Sequence, residues 1–171
     1  LKNIGVEAMI RIGSCGAVQP FVKVGDLVIV SAAVRDDGAS QTYVNLKYPA
    51  VPDTFLLNCC IEAAKENGFP FHIGLARSHD SFYIDDEDEI NAFWAKRGVL
   101  GSDMETSALF TVGMLRGVKT ASILNNVVAC GEDTFDSISN YADGESLAMT
   151  GERNEILTAL EAFVKLDKAG K

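Results

Sequence analysis

Apolar and polar positions follow two patterns along the chain, and the one with short apolar runs predicts strands. Runs rich in β-branched and other apolar residues are bounded by glycine, proline or charged residues, which is typical of buried strands. Four strands are predicted, at residues 7–12, 26–34, 71–77 and 118–125. The first carries Arg11 in its interior and runs into four small residues, 13–16, which predict a turn.

The other pattern, with apolar residues three and four positions apart, predicts helices. They cover residues 54–67, 87–96, 104–116 and about 152–166. Asp53 is placed to cap the first helix, and Gly68 is placed to end it. The last helix carries an apolar face formed by Ile156, Leu160, Phe163 and Val164.

Strands that alternate with helices at this spacing predict an α/β fold with a mixed, largely parallel central sheet flanked by helices. The chain of 171 residues is long enough for one domain with its own core, and we expect residues 1–171 to form that single domain. Residues 131–144 form the longest predicted loop and are a candidate for a lid.

Composition and charge narrow the possible partners. Apolar residues make up 47% and charged residues 23% of the chain, which is typical of a globular protein. A net charge of −9 argues against nucleic acid or an anionic membrane as the main partner, because both require a basic surface. No apolar run approaches the roughly 18 residues of a membrane span.

The cysteines and histidines argue against a metal site. The four cysteines lack the Cys-x-x-Cys spacing of structural zinc sites, and the chain has only two histidines. The thiols suit a reducing compartment, so we expect a cytoplasmic location.

Arg11 and Ser14 are the first candidates for binding chemistry. A guanidinium followed by a hydroxyl and by the backbone N–H groups of small residues suits a phosphate group. In open α/β sheets, ligands bind outside the carboxyl ends of the strands, which is where this segment is predicted to lie. The alternative is an edge-strand arginine that faces water before an ordinary glycine turn.

Asp103, Met104 and Glu105 are the second group of candidates. Two carboxylates at a helix start are favoured by the helix dipole, and Ser102 or Asp103 is placed to cap the helix. The functional alternative is that the two oxygens of Glu105 accept hydrogen bonds from neighbouring sugar hydroxyls. Met104 then supplies an apolar contact to the sugar.

Several segments taken in order carry a family resemblance. They are IRIGSCGAVQP at residues 10–20, VGDLVIV at 24–30, VRDDGAS at 34–40, YPAVPD at 48–53, DSFY at 80–83 and DMETSAL at 103–109. The chain resembles the nucleoside phosphorylase superfamily over nearly its whole length, and most closely its uridine phosphorylase branch. The resemblance implies that the N-terminal part of the family domain, with further phosphate contacts, is missing from this sequence.

The resemblance also implies a reaction and roles for residues. The reaction is phosphate-dependent cleavage of the N-glycosidic bond of a uridine or purine nucleoside, which releases the base and ribose 1-phosphate. Inorganic phosphate is the co-substrate, and no metal or other cofactor is implied. Arg11 and Ser14 match the phosphate-binding residues, and Glu105 and Met104 match the ribose-binding residues. Asp103 stands where relatives carry a glutamate, and we expect it to make a secondary contact to the ribose. Arg11 and Glu105 are thus the expected catalytic pair.

The base-binding region departs from the family pattern. Phe82 matches an aromatic residue beside the base, but Asp86 and Asp88 stand where uridine phosphorylases carry a glutamine and an arginine. Asn125 and Asn126 follow the fourth predicted strand, where they either bond a base or simply end the strand. His79 lies near the same strand ends, and a structural role for it is the simpler interpretation.

Three interpretations of function remain open from the sequence. The leading one is a phosphorylase, and Arg11 favours it because a hydrolase has no need for a guanidinium at the site of the nucleophile. The second is a hydrolytic nucleosidase of the same superfamily, and the third is a non-catalytic remnant that keeps the fold. The resemblance further implies a homo-oligomer with its site near a subunit interface.

Overall fold

The fold is known from a computed structural model that describes residues 1–81, 83–132 and 146–170. A 3₁₀ turn, Lys2–Ile4, precedes the first strand. The strands are β1 (Ala8–Ala17), β2 (Leu27–Asp36), β3 (Phe71–His79), β4 (Val99–Asp103) and β5 (Lys119–Val128). The helices are α1 (Gly38–Tyr43), α2 (Thr54–Glu66), α3 (Glu87–Ala95), α4 (Thr106–Arg116) and α5 (Ser146–Lys168).

The five described strands form one mixed sheet that closes on itself in the order β1-β4-β3-β2-β5. Three neighbouring pairs are parallel, namely β1 with β5, β2 with β3, and β3 with β4. The pairs β1 with β4 and β2 with β5 are antiparallel and shorter. The predicted α/β class with a mixed, largely parallel sheet is therefore confirmed, and the closure of the sheet is an addition to it.

Both faces of the first half of strand β2 are buried, which explains its apolar sequence LVIV. Leu27 and Ile29 pack in one cluster with residues of α2 and α5. Val28 and Val30 point the other way, as alternate strand residues do, and pack in a second cluster with Phe110 of α4. The sheet therefore separates α2 and α5 from α4.

A local capping signal placed the start of helix α2 correctly. Asp53 precedes α2 and accepts a hydrogen bond from the amide of Leu56 at 2.8 Å. Asp37 caps the short helix α1 in the same way, through the amide of Ser40 at 2.6 Å. The sequence did not predict α1, because its six residues are too few to show a helical apolar face.

Two strand predictions were incomplete. Residues 13–16 continue β1 instead of forming a turn, and a register shift relative to β5 falls between Cys15 and Gly16. Strand β4 was not predicted, because its sequence, VLGSD, has only two apolar residues. Its pairing with β3 and β1 compensates for this weak local preference.

The predicted apolar face of the last helix is its more exposed face. Ile156, Leu160, Phe163 and Val164 are 39%, 58%, 36% and 51% exposed. The helix instead packs on the sheet and α2 through smaller residues, including Ala148, Ala159 and Ala162. Helix α5 therefore presents a row of large apolar side chains outward in this chain.

The four cysteines are all unpaired. Cys15, Cys59 and Cys60 are buried, whereas Cys130 is exposed after the end of β5. Among the described helices, none combines the length and the apolar composition needed to cross a membrane. Most of the loop predicted at residues 131–144 lies outside the described residues.

Candidate functional site

A cavity of about 510 Å³ lies at the ends of β3, β4 and β5, beside the second half of β1. Its wall includes Arg11, Ser14, Asp103, Met104 and Glu105, among others. The structure thus brings together the residues proposed from two segments that lie about ninety positions apart in the sequence. Phe82, the proposed aromatic contact to the base, lies outside the described residues.

The guanidinium of Arg11 lies between two carboxylates of different character. Its Nε atom lies 3.1 Å from Oδ2 of Asp103, whose side chain is fully buried. Its Nη2 atom contacts Oε2 of Glu105, whose side chain is 62% exposed. The Arg11 side chain is 16% exposed. It pairs with Asp103 on its buried side and reaches the cavity beside Glu105.

Asp103 is tied to the protein by several donors. Its Oδ1 accepts a hydrogen bond from the hydroxyl of Ser78 at 2.5 Å. Its Oδ2 accepts from the amide and the hydroxyl of Thr106, at 3.0 Å and 2.5 Å. Asp103 thus bonds the first amide of α4, as a capping residue does, although the helix begins at Thr106, directly after Glu105. Since these partners and Arg11 occupy its carboxylate, the described geometry favours a role in holding Arg11.

A chain of buried hydrogen bonds continues from Asp103 into the protein. Ser78 Oγ accepts from the amide of Ser107 at 2.9 Å, and the hydroxyl of Ser107 donates to Asp37. Asp37 also accepts from the hydroxyl of Ser40 at 2.8 Å. Burial raises the pKa of Asp37, but the donors from Ser107 and Ser40 outweigh it and lower the pKa overall. Helix α4 is thereby fixed against β3 and α1 behind the cavity.

Gly13 is the residue on which the Arg11 side chain lies. A Cβ atom at this position would lie 2.1 Å from Nη1 of Arg11, so a larger residue cannot coexist with this arginine conformation. The amide of Gly13 donates to Oε2 of Glu155, in helix α5, at 3.0 Å. Burial raises the pKa of Glu155 to about 7, although the Gly13 amide and Arg11 act in the opposite direction.

Neither Asn125 nor Asn126 lines the cavity. Both side chains are buried, at 1% and 0% exposed. The Asn125 amide donates to the carbonyl of Ala148 at 2.8 Å, and the Asn126 amide donates to that of Val22 at 3.4 Å. Their proposed contact with a base gains no support from these positions, which favour the structural alternative.

His79 lines the cavity, and its Nδ1 lies 2.7 Å from the carbonyl oxygen of Ser81. This contact to a neighbouring carbonyl fits the structural interpretation. Of the two acids that replace the expected base contacts, Asp88 lines the cavity, together with the neighbouring Asp85. The region expected to contact a base is therefore acidic in this chain.

Arg77 is a cavity residue that sequence reasoning missed. Its Nε and Nη2 both lie 2.7 Å from Oδ2 of Asp36, at the end of the neighbouring strand. Its side chain is 7% exposed, so it is a second nearly buried guanidinium at the site. The signal was present in the sequence, because Arg77 ends an apolar strand at the sheet edge where ligands are expected.

The described residues contain no candidate metal site. In residues 1–81, 83–132 and 146–170, no three or more histidine, cysteine or acidic side chains are grouped so that they could hold a metal ion. The polar groups of the cavity wall include the two guanidinium groups, the Ser14 hydroxyl and several carboxylates. Such a set suits an anion and a polyhydroxyl ligand bound side by side.

Comparison with known proteins agrees with this arrangement. The family model described as the phosphorylase superfamily matches residues 1–152, and the chain belongs to that superfamily. The resemblance inferred from the sequence is thus confirmed. A solved structure of uridine phosphorylase from Vibrio fischeri is 43% identical and superposes with a TM-score of 0.86, covering 96% of this chain and 66% of that one.

Curated relatives include enzymes named for different nucleosides. The guanosine phosphorylase of Halorubrum lacusprofundi is 34% identical over 140 residues, which are 80% of this chain and 58% of that protein. The uridine phosphorylase of Thermococcus kodakarensis is 36% identical over 135 residues, covering 72% of this chain and 49% of that protein. The chain thus spans between about half and about two thirds of the length of these relatives.

Proposed function

We propose that this chain carries the catalytic site of a nucleoside phosphorylase. The substrates are a uridine or purine nucleoside and inorganic phosphate, and the products are the free base and ribose 1-phosphate. The observation that carries the proposal is the contact between Arg11 and Glu105 in one cavity. A phosphate held by Arg11 and a ribose held by Glu105 would necessarily be neighbours.

Each residue has a physical task in this reaction. Arg11 and the exposed Ser14 hydroxyl hold phosphate on one face of the sugar. The carboxylate of Glu105 accepts hydrogen bonds from the ribose hydroxyls, and Met104 packs against the ring. A phosphate oxygen bonds to C1′ as the C1′–N bond breaks, and the electron pair of that bond leaves with the base.

Charge development explains why this arrangement accelerates the reaction. The sugar becomes positively charged as the base departs, and the phosphate beside it stabilises that charge before bonding to it. Glu105 fixes the orientation of the ribose, which removes part of the entropy cost of the attack. The proposal involves phosphate as co-substrate and no metal or organic cofactor.

Two further parts of the proposal concern assembly and location. We expect a homo-oligomer with the cavity near a subunit interface, which the exposed apolar row of α5 supports. We expect a cytoplasmic location, which the four unpaired thiols support. We expect residues 1–171 to form one domain.

A substrate panel tests the reaction. Uridine, guanosine, inosine and adenosine are incubated with the protein, with and without phosphate, and release of base and of ribose 1-phosphate is followed by chromatography. Phosphorolysis requires that base release depend on phosphate and that ribose 1-phosphate appear in equal amount. Equal rates without phosphate, with free ribose as product, would assign a hydrolytic nucleosidase. No base release under any condition would leave the non-catalytic interpretation.

A further inference from the structure

Glu155 is a buried carboxylate that the proposed reaction does not use. It lies on α5, is 4% exposed, and accepts the amide hydrogen of Gly13 at 3.0 Å. Gly13 stands between Arg11 and Ser14, the two residues proposed to hold phosphate. A carboxylate buried at this point is costly unless it has partners that require it.

Gly13 contacts both Arg11 and Glu155: the Arg11 guanidinium lies against its Cα, and Glu155 accepts its amide hydrogen. The space that a Cβ would occupy is taken by Nη1 of Arg11, at 2.1 Å from that position. The orientation of the Gly13 peptide therefore determines where the guanidinium rests and how the following Ser14 is presented. Glu155 is the side chain that fixes this peptide through its N–H group.

Helix α5 is itself fixed close to the same point of the sheet. Ser14 pairs in register with Asn125 of β5, and the Asn125 side chain donates to the carbonyl of Ala148 at 2.8 Å. A Cβ at Gly151 would lie 2.0 Å from Oδ1 of Asn125, so the helix approaches the sheet as closely as a glycine permits. Glu155 follows one helical turn later and is thus held in place below Gly13.

We propose that Glu155 is a positioning residue of the anion site, which holds the Gly13 peptide so that Arg11 and Ser14 face a bound dianion. The proposal rests on the proposed function, because it assigns the anion site to those two residues. Glu155 acts through Gly13 and does not itself touch the anion.

The charge of Glu155 is coupled to the anion in a predictable direction. The charged and titratable groups that face it are Arg11 and Cys15 from β1 and Glu152 from its own helix. Arg11 favours the ionised form of Glu155, which has a pKa of about 7 because of burial. A dianion bound to Arg11 offsets that attraction and repels the carboxylate, so binding favours the protonated form. Anion affinity should therefore fall as the pH rises through this range.

Sulfate is the appropriate probe, because it stays a dianion where phosphate titrates. Sulfate affinity is measured by calorimetry from about pH 5.5 to about pH 8.5 for the wild type, Glu155→Gln and Glu155→Ala. Glu155→Gln keeps an acceptor for the Gly13 amide but has no charge, whereas Glu155→Ala removes both. Thr158→Ala is the matched control, because Thr158 is buried on the same helix and donates to Asn154.

The expected results separate position from charge. Wild-type affinity falls about tenfold across the range, corresponding to a coupling of about one pKa unit. Glu155→Gln loses that part of the pH dependence, and its affinity at the alkaline end is about tenfold higher than that of the wild type. Glu155→Ala binds at least fivefold more weakly than Glu155→Gln at each pH, since the two differ in the hydrogen bond to Gly13. Thr158→Ala binds like the wild type.

Other outcomes overturn the inference. If the sulfate affinity of Glu155→Gln changes with pH as that of the wild type does, Glu155 is not coupled to the anion. His79 cannot produce a difference between the two proteins, because both contain it. Equal affinities in Glu155→Ala and Glu155→Gln would remove the positioning role while phosphorolysis stands. No sulfate binding by the wild type would remove this inference and the anion site together. If Glu155→Ala does not fold, the slope of Glu155→Gln decides.

Discussion

Oδ2 of Asp103 lies 3.1 Å from Nε of Arg11, and the aspartate side chain is completely buried. Ser78 and Thr106 donate hydrogen bonds to Asp103, and Arg11 forms an ion pair with it, so the N–H groups of an amide at this position would face donors or a cation. We expect Asp103→Asn to lower the free energy of unfolding by on the order of 3 kcal/mol, as measured by urea denaturation.

Asp36→Asn is the matched control for that variant. Asp36 also pairs with a guanidinium at 2.7 Å, that of Arg77, but its carboxylate is 47% exposed. Because Asp36 is partly solvated, and asparagine keeps an oxygen acceptor for the nearly buried Arg77, Asp36→Asn should lower the free energy of unfolding by less than Asp103→Asn does. Similar losses in both variants would show that burial of Asp103 has no special weight.

Glu105 should matter more for turnover than for folding. Its side chain is 62% exposed, so Glu105→Gln should leave the urea midpoint nearly unchanged. Loss of its charge beside the developing positive charge of the ribose should lower kcat about a hundredfold or more. Steady-state rates with the best nucleoside of the panel test this. Full activity of Glu105→Gln would remove its role at the ribose, and we expect a smaller loss of rate per folded molecule in Asp103→Asn.

Substitutions at Gly13 and Gly16 together test whether the Arg11 side chain requires the space above Gly13. A methyl group at position 13 would lie 2.1 Å from the Arg11 guanidinium, whereas one at position 16 would meet Val128 at an ordinary 3.6 Å. Gly13→Ala should therefore displace Arg11 and weaken phosphate binding about tenfold or more. Gly16→Ala should bind phosphate almost normally. Equal phosphate affinities of Gly13→Ala and Gly16→Ala, measured by calorimetry, would show that Arg11 does not depend on the space at Gly13.

Glu155 should also leave a signature in stability. Its pKa is raised from 4.5 to about 7 by burial, so the folded chain holds more protons than the unfolded chain between these values. The contribution of this group is therefore fully present below about pH 4.5 and is lost as the pH rises towards 7.

Replacing Glu155 by glutamine should remove that loss. The unfolding free energy of Glu155→Gln, relative to the wild type, should rise by on the order of 2 to 3 kcal/mol between about pH 4.5 and about pH 8. Urea denaturation of both proteins at the two pH values measures the difference. A constant difference between the proteins would show that the carboxyl titrates normally in the folded state.

Self-association is expected from the outward face of α5. Leu160 and Val164, both more than half exposed, lie one helical turn apart on this helix. Large apolar side chains in a row favour pairing with another surface. We expect light scattering to show a dimer or larger species at micromolar concentration, and Leu160→Glu to shift it towards the monomer. A monomeric wild type would contradict the expectation.

The sequence predicted the parts of the site that depend on residue type and order. Arg11 and Glu105 were placed together because each follows a recognisable local pattern and the strand ends of an α/β fold converge. Arg77 was overlooked, although it ends a predicted strand at the same edge of the sheet, because no neighbouring residue pointed to a ligand. Its place at the cavity follows from the parallel pairing of β2 and β3, which is a tertiary property.

The errors in the fold have a similar cause. Strand β4 has a weak local preference and exists through its two neighbours, so a single-strand pattern could not show it. In α5, periodicity identified an apolar face but not which face packs inward. Small residues such as Ala159 and Ala162 allow a helix to approach a sheet closely. A search for large apolar side chains gives such a face less weight than the face with Leu160 and Val164.

The different burial of the four thiols makes the chain convenient for site-specific labelling. Burial raises the pKa of Cys15 and Cys59, and that of Cys60 to about 12, which suppresses the reactive thiolate at all three. Cys130 is exposed and stands between Ala129 and Gly131, which both line the cavity. A maleimide fluorophore should therefore attach at one place, at the rim of the site, and report ligand entry by its emission without any assay of turnover.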